Sequence, residues 1–155
     1  MKETRATRLS LTSKSIITTV ALFLLCSTVL FAADKKIILP PGAKPGGNFS
    51  PGILVDGTLY ISGQTGQDPS GKFPQEFEAE VKQTLENVGA ILKAAEMSPD
   101  DAVSVQVYLT DAATFPRMNA VYRDYFKEPR PTRTTVVVAK LVGAARIEIT
   151  VTAKK

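Results

Sequence analysis

The chain has 155 residues, with 19 lysines and arginines against 15 aspartates and glutamates, no histidine and one cysteine. The lack of histidine excludes histidine-assisted serine nucleophiles, and with a single cysteine it also excludes the usual zinc sites. That cysteine, Cys26, precedes residue 34, so residues 34–155 contain no thiol nucleophile and no disulfide. Any catalysis must use carboxylates, arginine, lysine, tyrosine, hydroxyls, amides or backbone groups.

Residues 1–33 have the pattern of a secretory signal peptide. The first 14 residues carry four basic side chains against one acid, residues 15–33 carry no charge, and small residues close the run at Ala32 and Ala33. The uncharged run also approaches the roughly 20 residues that span a bilayer. We therefore expect an exported protein, periplasmic or secreted. An uncleaved anchor, which would be the only membrane contact, is the first alternative, and a cytoplasmic location is the less favoured one.

Most of the excess positive charge belongs to this leader. Residues 34–155 carry 15 basic and 14 acidic side chains, a net charge of +1 compared with +4 for the whole chain. The sequence pI near 9.2 is therefore a weak argument for nucleic-acid binding, and we expect no nucleic-acid partner. The remaining length suffices for one domain with a single core.

The first part of the exported chain predicts an arm followed by a hairpin. Residues 34–48 are rich in proline and glycine and are expected to form an extended arm. A single domain is expected over residues 49–155, with Phe49 as a packing anchor at its start. Two β-prone runs flank Asp56-Gly57 and predict a hairpin. The small residues Ser62 and Gly63 follow, where a ligand can approach the backbone, although a bulge or loop is the default interpretation.

The middle of the chain predicts a helix, a strand and a second helix. Apolar residues at spacings of three and four indicate a helix over residues 75–96, and Pro99 cannot continue it. Strict alternation over residues 103–109 indicates a strand with one packed face. A second helix is expected over residues 114–126, with Thr114 as its N-cap. Asn119 on this helix is expected to be a surface polar group.

Two strands close the chain. The valine run in residues 132–138 predicts a strand buried on both faces, with Arg133 just inside its start. In the strand over residues 146–152, alternation places Glu148 on the face opposite Ile147. An arginine and a glutamate on neighbouring strands form either a structural ion pair or a site for a small carboxylate. By composition alone the structural pair is the commoner outcome.

The predicted order is β-β-α-β-α-β-β, which indicates a two-layer α+β sandwich of a mixed sheet with both helices on one face. The other face is expected to carry Arg133, Glu148 and Tyr108 together with threonines. Such a face is too apolar to remain exposed to solvent and too polar to form part of a hydrophobic core. It predicts burial against another subunit, and therefore a homo-oligomer.

Five motifs, in this order, resemble those of the Rid family of reactive intermediate deaminases, also called YjgF. They are LYISGQ at 59–64, LENV at 85–88, MNAVYRDYF at 118–126, PTR at 131–133 and ARIEI at 145–149. The resemblance spans about residues 49–153. It implies a chorismate-mutase-like α+β sandwich that forms a homotrimer, with ligand clefts between subunits.

The resemblance also implies an activity. Family deaminases hydrolyse reactive enamines and imines, such as 2-iminopropanoate and 2-iminobutanoate, to 2-oxo acids and ammonia. Arg133 corresponds to the residue that binds the carboxylate of the imino acid, and Glu148 to the acid that activates water. No metal and no cofactor is implied, because the imine carbon is already electrophilic.

Five further positions correspond to the family's cleft or depart from it. Ser62 and the backbone around Gly63 correspond to a loop that lines the cleft. Asn119 corresponds to a helix residue near it, and Thr135, where cysteine is frequent, is expected to offer backbone contacts beside the arginine. Phe49 stands where many active members have tyrosine, so a hydroxyl that can bond substrate or water is missing.

Two other functions remain as alternatives. The first is a non-enzymatic protein that uses Arg133 to hold a small carboxylate or a partner. The second is nucleic-acid chemistry, which the near-neutral charge of residues 34–155 and the absence of histidine disfavour.

Thr150 stands where a second acid often follows Glu148 in the family.

The leader gives the first testable prediction. When the full chain is expressed in a bacterium, the protein recovered from the periplasm or medium should have an intact mass that starts at Asp34. A Leu22→Arg variant, which puts a charge in the apolar run, should stay inside the cell at full length, because arginine is costly in a membrane. Full-length protein in the membrane fraction would contradict cleavage and support an anchor.

Overall fold

The computed structural model describes residues 34–44 and 46–155, so the predictions about residues 1–33 lie outside its described part. These residues form a six-stranded sheet with two helices packed on one face. Within this part of the chain no helix is long and apolar enough to cross a membrane. The strands are β1 (Lys36–Ile38), β2 (Gly52–Val55), β3 (Thr58–Thr65), β4 (Ala102–Leu109), β5 (Thr132–Val137) and β6 (Ile147–Lys154), and the helices are α1 (Phe77–Ala94) and α2 (Phe115–Tyr125).

The strand order across the sheet is β1-β2-β3-β6-β4-β5, so the last strand in sequence lies inside the sheet. All neighbours are antiparallel except β4 and β5, which are parallel and are joined through α2. A parallel pair needs such a crossover, because the chain must return to the end of the sheet at which the first strand began. The predicted two-layer α+β sandwich with a mixed sheet is confirmed.

The predicted hairpin is confirmed in detail. Strands β2 and β3 pair up to Val55 and Thr58, which leaves Asp56 and Gly57 as a two-residue loop. Both loop residues have positive φ, 49° and 69° respectively. This is the backbone that a type I′ turn requires, and asparagine or aspartate followed by glycine tolerates it best.

The prediction of a plain extended arm is wrong at residues 36–38. These residues form β1 and pair with β2 at the outer edge of the sheet. Ile38 is 2% exposed and belongs to the core. A strand of three residues is too short to show the alternation by which strands are recognised in a sequence.

The core lies between the helices and one face of the sheet. Helix α1 contributes the predicted apolar stripe, and α2 contributes Met118 and Tyr122. Thr114 precedes α2 as predicted but makes no capping bond, since its hydroxyl donates to the carbonyl of Asp111 at 2.6 Å. The sheet contributes alternate residues that are almost fully buried: Leu59, Ile61, Val105, Val107, Leu109, Ile147, Ile149, Val151 and Ala153.

Strand β5 is not buried on both faces, contrary to prediction. Val136 and Val137 are 42% and 52% exposed. The reason is the position of the strand at the edge of the sheet, where β4 is its only neighbour. A valine run shows β propensity, but it does not tell which strands lie inside the sheet.

An ion pair with a buried carboxylate ties α1 to the start of β6. Glu80 is fully buried and accepts hydrogen bonds from the Arg146 backbone N–H at 2.7 Å and from its Nε at 2.5 Å. Arg146 also donates to the carbonyl of Pro74 at 2.9 Å. On the other side of Glu80 lies Gly66, where a Cβ atom would come within 2.6 Å of the Glu80 carbonyl oxygen. The pair therefore fixes the residue two positions before Glu148.

Glu80→Gln should destabilise the fold by about 3 kcal/mol, because it leaves Arg146 without its counter-charge and turns an acceptor into a donor facing Nε. Urea denaturation at pH 7 measures the change. The matched control is Glu78→Gln on the same helix. Glu78 pairs with Arg117 at 2.5 Å, but its side chain is 43% exposed whereas that of Glu80 is fully buried, so this variant should unfold close to wild type. Equal destabilisation of the two variants would contradict the role given to burial.

Candidate functional site

Arg133 lies on the helix-covered side of the sheet, near the edge. In the β4–β5 register it is opposite Val105, and Val105 is fully buried beneath the helices. The expectation that Arg133 shares the open face with Glu148 is therefore wrong. The face of a strand follows from its register with its neighbour, and the sequence of β5 alone does not contain that register.

Aromatic rings hold the Arg133 guanidinium. Its central carbon lies 4.4 Å from the ring centroid of Tyr122 and 5.7 Å from that of Phe115. Its Nη1 lies 4.0 Å from the sulfur of Met118. None of the salt bridges among the described residues involves Arg133. Stacking orients this cation and leaves its hydrogen-bond donors available to an anion.

A cavity of about 600 Å³ opens beside this guanidinium. Asn119 lines it together with Arg133, so the structure brings these two predicted site residues together. Burial raises the pKa of the Tyr122 phenol, while the charges of Arg133 and Arg130 oppose this shift. The full lining is Pro116, Asn119, Tyr122, Arg123, Arg130, Pro131 and Arg133.

A second polar cluster lies where β3 bulges. The β3–β6 pairing jumps from Ile61 opposite Val151 to Gln64 opposite Ile149, so one extra residue is accommodated at Ser62-Gly63. The Ser62 hydroxyl donates to the carbonyl of Pro51 at 3.1 Å. The Gln64 amide donates to the Ser62 and Gly63 carbonyls at 3.1 and 3.2 Å. Bulges commonly re-aim side chains next to active sites.

Glu148 packs directly against this bulge. A Cβ atom at Gly63 would lie 2.7 Å from the carboxyl carbon of Glu148, so only glycine leaves room for this carboxylate. Glu148 pairs with Thr65 on one side and with Tyr108 on the other. Its strand position places it on the open face of the sheet, where the sequence predicted it. The two strands that flank β6 fix its backbone.

Arg133 and Glu148 are not brought together within one chain. They stand on opposite faces of the sheet, and β4 separates their strands, so the expected contact between neighbouring strands is wrong. In the described residues no group of three or more acidic, histidine or cysteine side chains is placed to hold a metal ion. The candidate site therefore consists of two separate halves.

Two other predicted residues are Phe49, which lies away from both halves, and Thr135, whose hydroxyl makes no hydrogen bond within the described residues. Phe49 is 70% exposed, so its predicted role as a packing anchor is wrong for a single chain. It lines a separate cavity of about 310 Å³ next to β1. Thr135 shares the face of Arg133, opposite Val107. Its hydroxyl is buried without a hydrogen-bond partner among the described residues.

Sequence reasoning missed three residues of the two halves. The ring of Tyr122, a residue of the MNAVYRDYF motif, carries the Arg133 cation. Arg130 lies just before the PTR motif, and no pattern in the sequence places it with Arg133 in the cavity wall. Gln64 closes the LYISGQ motif, but its bracing of the bulge depends on a register shift that no local pattern predicts.

Together these features define a two-layer α+β domain with a carboxylate on a bulged sheet and, beside a cavity, an arginine that has no salt bridge among the described residues. A family model described as Endoribonuclease L-PSP matches residues 41–155. The chain belongs to this family, also known as YjgF/RidA. The resemblance found in the sequence motifs is thereby confirmed.

Relatives and solved structures agree with this assignment. The human 2-iminobutanoate/2-iminopropanoate deaminase is 45% identical over 111 residues, which are 70% of this chain and 80% of the human protein. A RutC family protein of Aquifex aeolicus is 39% identical over 124 residues, 78% of this chain and 99% of that protein. The structure of E. coli TdcF with bound serine has a TM-score of 0.71 at 34% identity, and covers 77% of this chain and 98% of TdcF.

Gly63→Ala should destabilise the protein by about 1–3 kcal/mol, because the added methyl group overlaps the Glu148 side chain. Removing that side chain should relieve the overlap. In the Gly63→Ala/Glu148→Ala double variant the cost of the alanine should therefore fall by about 1 kcal/mol or more. Urea denaturation of the four proteins gives the coupling energy. Strict additivity would contradict the close packing of these two residues.

Proposed function

We propose that this protein hydrolyses reactive imino acids to 2-oxo acids and ammonia. The observation that carries the proposal is the Arg133 guanidinium, stacked on Tyr122 beside an open cavity and without a carboxylate partner among the described residues. The human relative named for this activity supports it, as does the serine-bound structure of TdcF, since serine is a small amino acid with one carboxylate.

Arg133 binds the carboxylate of the substrate. A guanidinium presents parallel N–H donors that match the two oxygens of a carboxylate, and it remains charged at every relevant pH. The rings of Tyr122 and Phe115 fix its plane, so little rotational freedom is lost when the anion binds. This contact orients the imine but does not take part in bond making.

Glu148 activates the water. Its carboxylate accepts a proton from a water molecule as the oxygen attacks the imine carbon, and it passes this proton to the imine nitrogen, which gives a carbinolamine and restores the carboxylate. Collapse of this intermediate forms the C=O bond, breaks the C–N bond and releases ammonia. One imine and one water give one 2-oxo acid and one ammonia. The imine carbon is electrophilic enough to need no further activation.

The two halves meet between two copies of the chain. A small imino acid cannot reach both Arg133 and Glu148 in one copy, because the sheet lies between them. A neighbouring copy packed on the edge strand β5 supplies the other half and covers the exposed Val136 and Val137. We assign this assembly as a homotrimer, in which each cleft takes its arginine and its glutamate from different subunits.

The other predicted residues fit the walls of such a cleft. Ser62 and Gly63 line it beside Glu148, and Asn119 lines it beside Arg133. Thr135 contributes backbone contacts next to the arginine. Phe49, exposed in one copy, provides an apolar wall where tyrosine stands in many relatives. The family's description mentions ribonuclease activity, but the net charge of +1 over residues 34–155 gives RNA little electrostatic attraction.

The direct test uses residues 34–155 with an amino-acid oxidase that produces 2-iminopropanoate and with semicarbazide as a competing trap. Wild type should accelerate loss of the imine. Arg133→Ala should lower kcat/KM roughly 10- to 100-fold by loss of a charged hydrogen bond, and Glu148→Gln should lower kcat by roughly 10²–10⁴-fold. Glu78→Gln, on the outer surface of α1, serves as the control. No acceleration, with Arg133-dependent carboxylate binding retained, would make this a binding protein.

Mixing the two inactive variants tests the shared cleft. If each cleft combines two subunits, random reassembly of Arg133→Ala and Glu148→Gln chains in equal amounts restores about one cleft in four. The recovered rate should therefore approach a quarter of the wild-type rate. If one chain supplied both groups, every cleft in the mixture would lack one of them and no activity would return. Light scattering of the same samples reports whether the assembly is a trimer.

A further inference from the structure

The cavity beside Arg133 contains more positive charge than one carboxylate requires. Three arginines line it, Arg123, Arg130 and Arg133. Arg130 precedes β5 by two residues, and Arg123 lies in the last turn of α2, so two separate elements contribute basic residues to the lining of one cavity. If Arg133 binds the carboxylate next to the imine, Arg123 and Arg130 have no role in binding that group.

The two extra cations are available to a ligand. Arg130 contacts Glu128, but the Glu128 side chain is 72% exposed, and such surface pairs exchange for another anion at little cost. Arg123 is exposed and takes part in no salt bridge among the described residues. The Arg133 guanidinium lies 4.4 Å from the ring centroid of Tyr122, and Arg130 lines the same cavity as this ring.

The volume and the lining of the cavity match a small molecule with more than one negative charge. Its volume of about 600 Å³ falls within the roughly 300–1,000 Å³ of small-molecule sites. A substrate with a methyl or ethyl side chain would gain most from apolar walls. Four of the cavity's seven lining residues, however, are an asparagine and three arginines. A charged group at the far end of the substrate would gain most here.

We propose that the preferred substrates are imino acids whose side chain bears a second carboxylate, and that Arg130 and Arg123 bind this group. The proposal rests on the deaminase function and narrows it to dicarboxylic imines. For 2-iminosuccinate, one water adds to the imine carbon, the C–N bond breaks, and the products are oxaloacetate and ammonia. No oxidant, reductant or further reactant is needed.

The test compares two imines that differ only in charge. Oxidases acting on aspartate and asparagine generate 2-iminosuccinate and the corresponding imine with an uncharged amide side chain. Semicarbazide serves as the competing trap. For wild type, kcat/KM for the imine of aspartate should exceed that for the imine of asparagine by roughly tenfold or more, the effect of a charged hydrogen bond. Because exposed cations are screened, this ratio should fall as salt rises.

Matched variants identify the residues that recognise the side-chain carboxylate of the substrate. In Arg123→Gln/Arg130→Gln the ratio of the two kcat/KM values should fall to about one, since the amide imine gains nothing from either cation. Lys127→Gln removes an exposed cation from the same loop but outside the cavity wall, and should keep the wild-type ratio. Thermal melts confirm that each variant is folded.

The outcomes separate this proposal from the one on which it rests. Acceleration of 2-iminopropanoate hydrolysis with an aspartate-to-asparagine ratio near one would overturn the dicarboxylate preference and leave the deaminase function standing. If no imine is hydrolysed faster, the deaminase function fails, and calorimetric titration with oxaloacetate and pyruvate decides the rest. Tighter binding of oxaloacetate that is lost in Arg123→Gln/Arg130→Gln supports recognition of the second carboxylate, and equal binding overturns it.

Discussion

The register of β6 determines how the parts of the sheet fit together and which face carries Glu148. This strand pairs with β3 on one side and β4 on the other, so it fixes the hairpin and the crossover unit relative to each other. Its residues alternate between the core and the open face. A shift by one residue would place Glu148 in the core and Ile149 in water. The Glu80–Arg146 pair, at the start of the strand, opposes such a shift.

The two halves of the candidate site are preorganised by different physical means. Arg133 is oriented by aromatic side chains of α2 and by its place at the sheet edge. Glu148 is oriented by the backbone, because the bulge and the missing side chain at Gly63 leave one space for its carboxylate. Neither half requires the other in order to form. Assembly of copies then needs only to bring two finished surfaces together.

The sequence predicted the elements better than their arrangement. The Asp56-Gly57 turn and the stripe of α1 are local signals, because neighbouring residues produce them, and both were correct. The exposure of β5 and the face of Arg133 depend on strand order and register, which arise from contacts between distant segments. Residues 36–38 were missed because so short a strand has no period. The motif resemblance supplied the candidate residues but not their separation by the sheet.

The position of β6 also has a consequence for how the chain folds. The strand that joins β3 to β4 is synthesised after both of them, and its partners in β3 lie some 80 to 100 residues earlier. Contacts so distant in sequence slow folding, since a long loop must close before they form. Until residues 147–154 are available, β3 and β4 each expose an unpaired edge. The sheet is therefore completed only once β6 has been synthesised, and until then these two edges can pair with other chains.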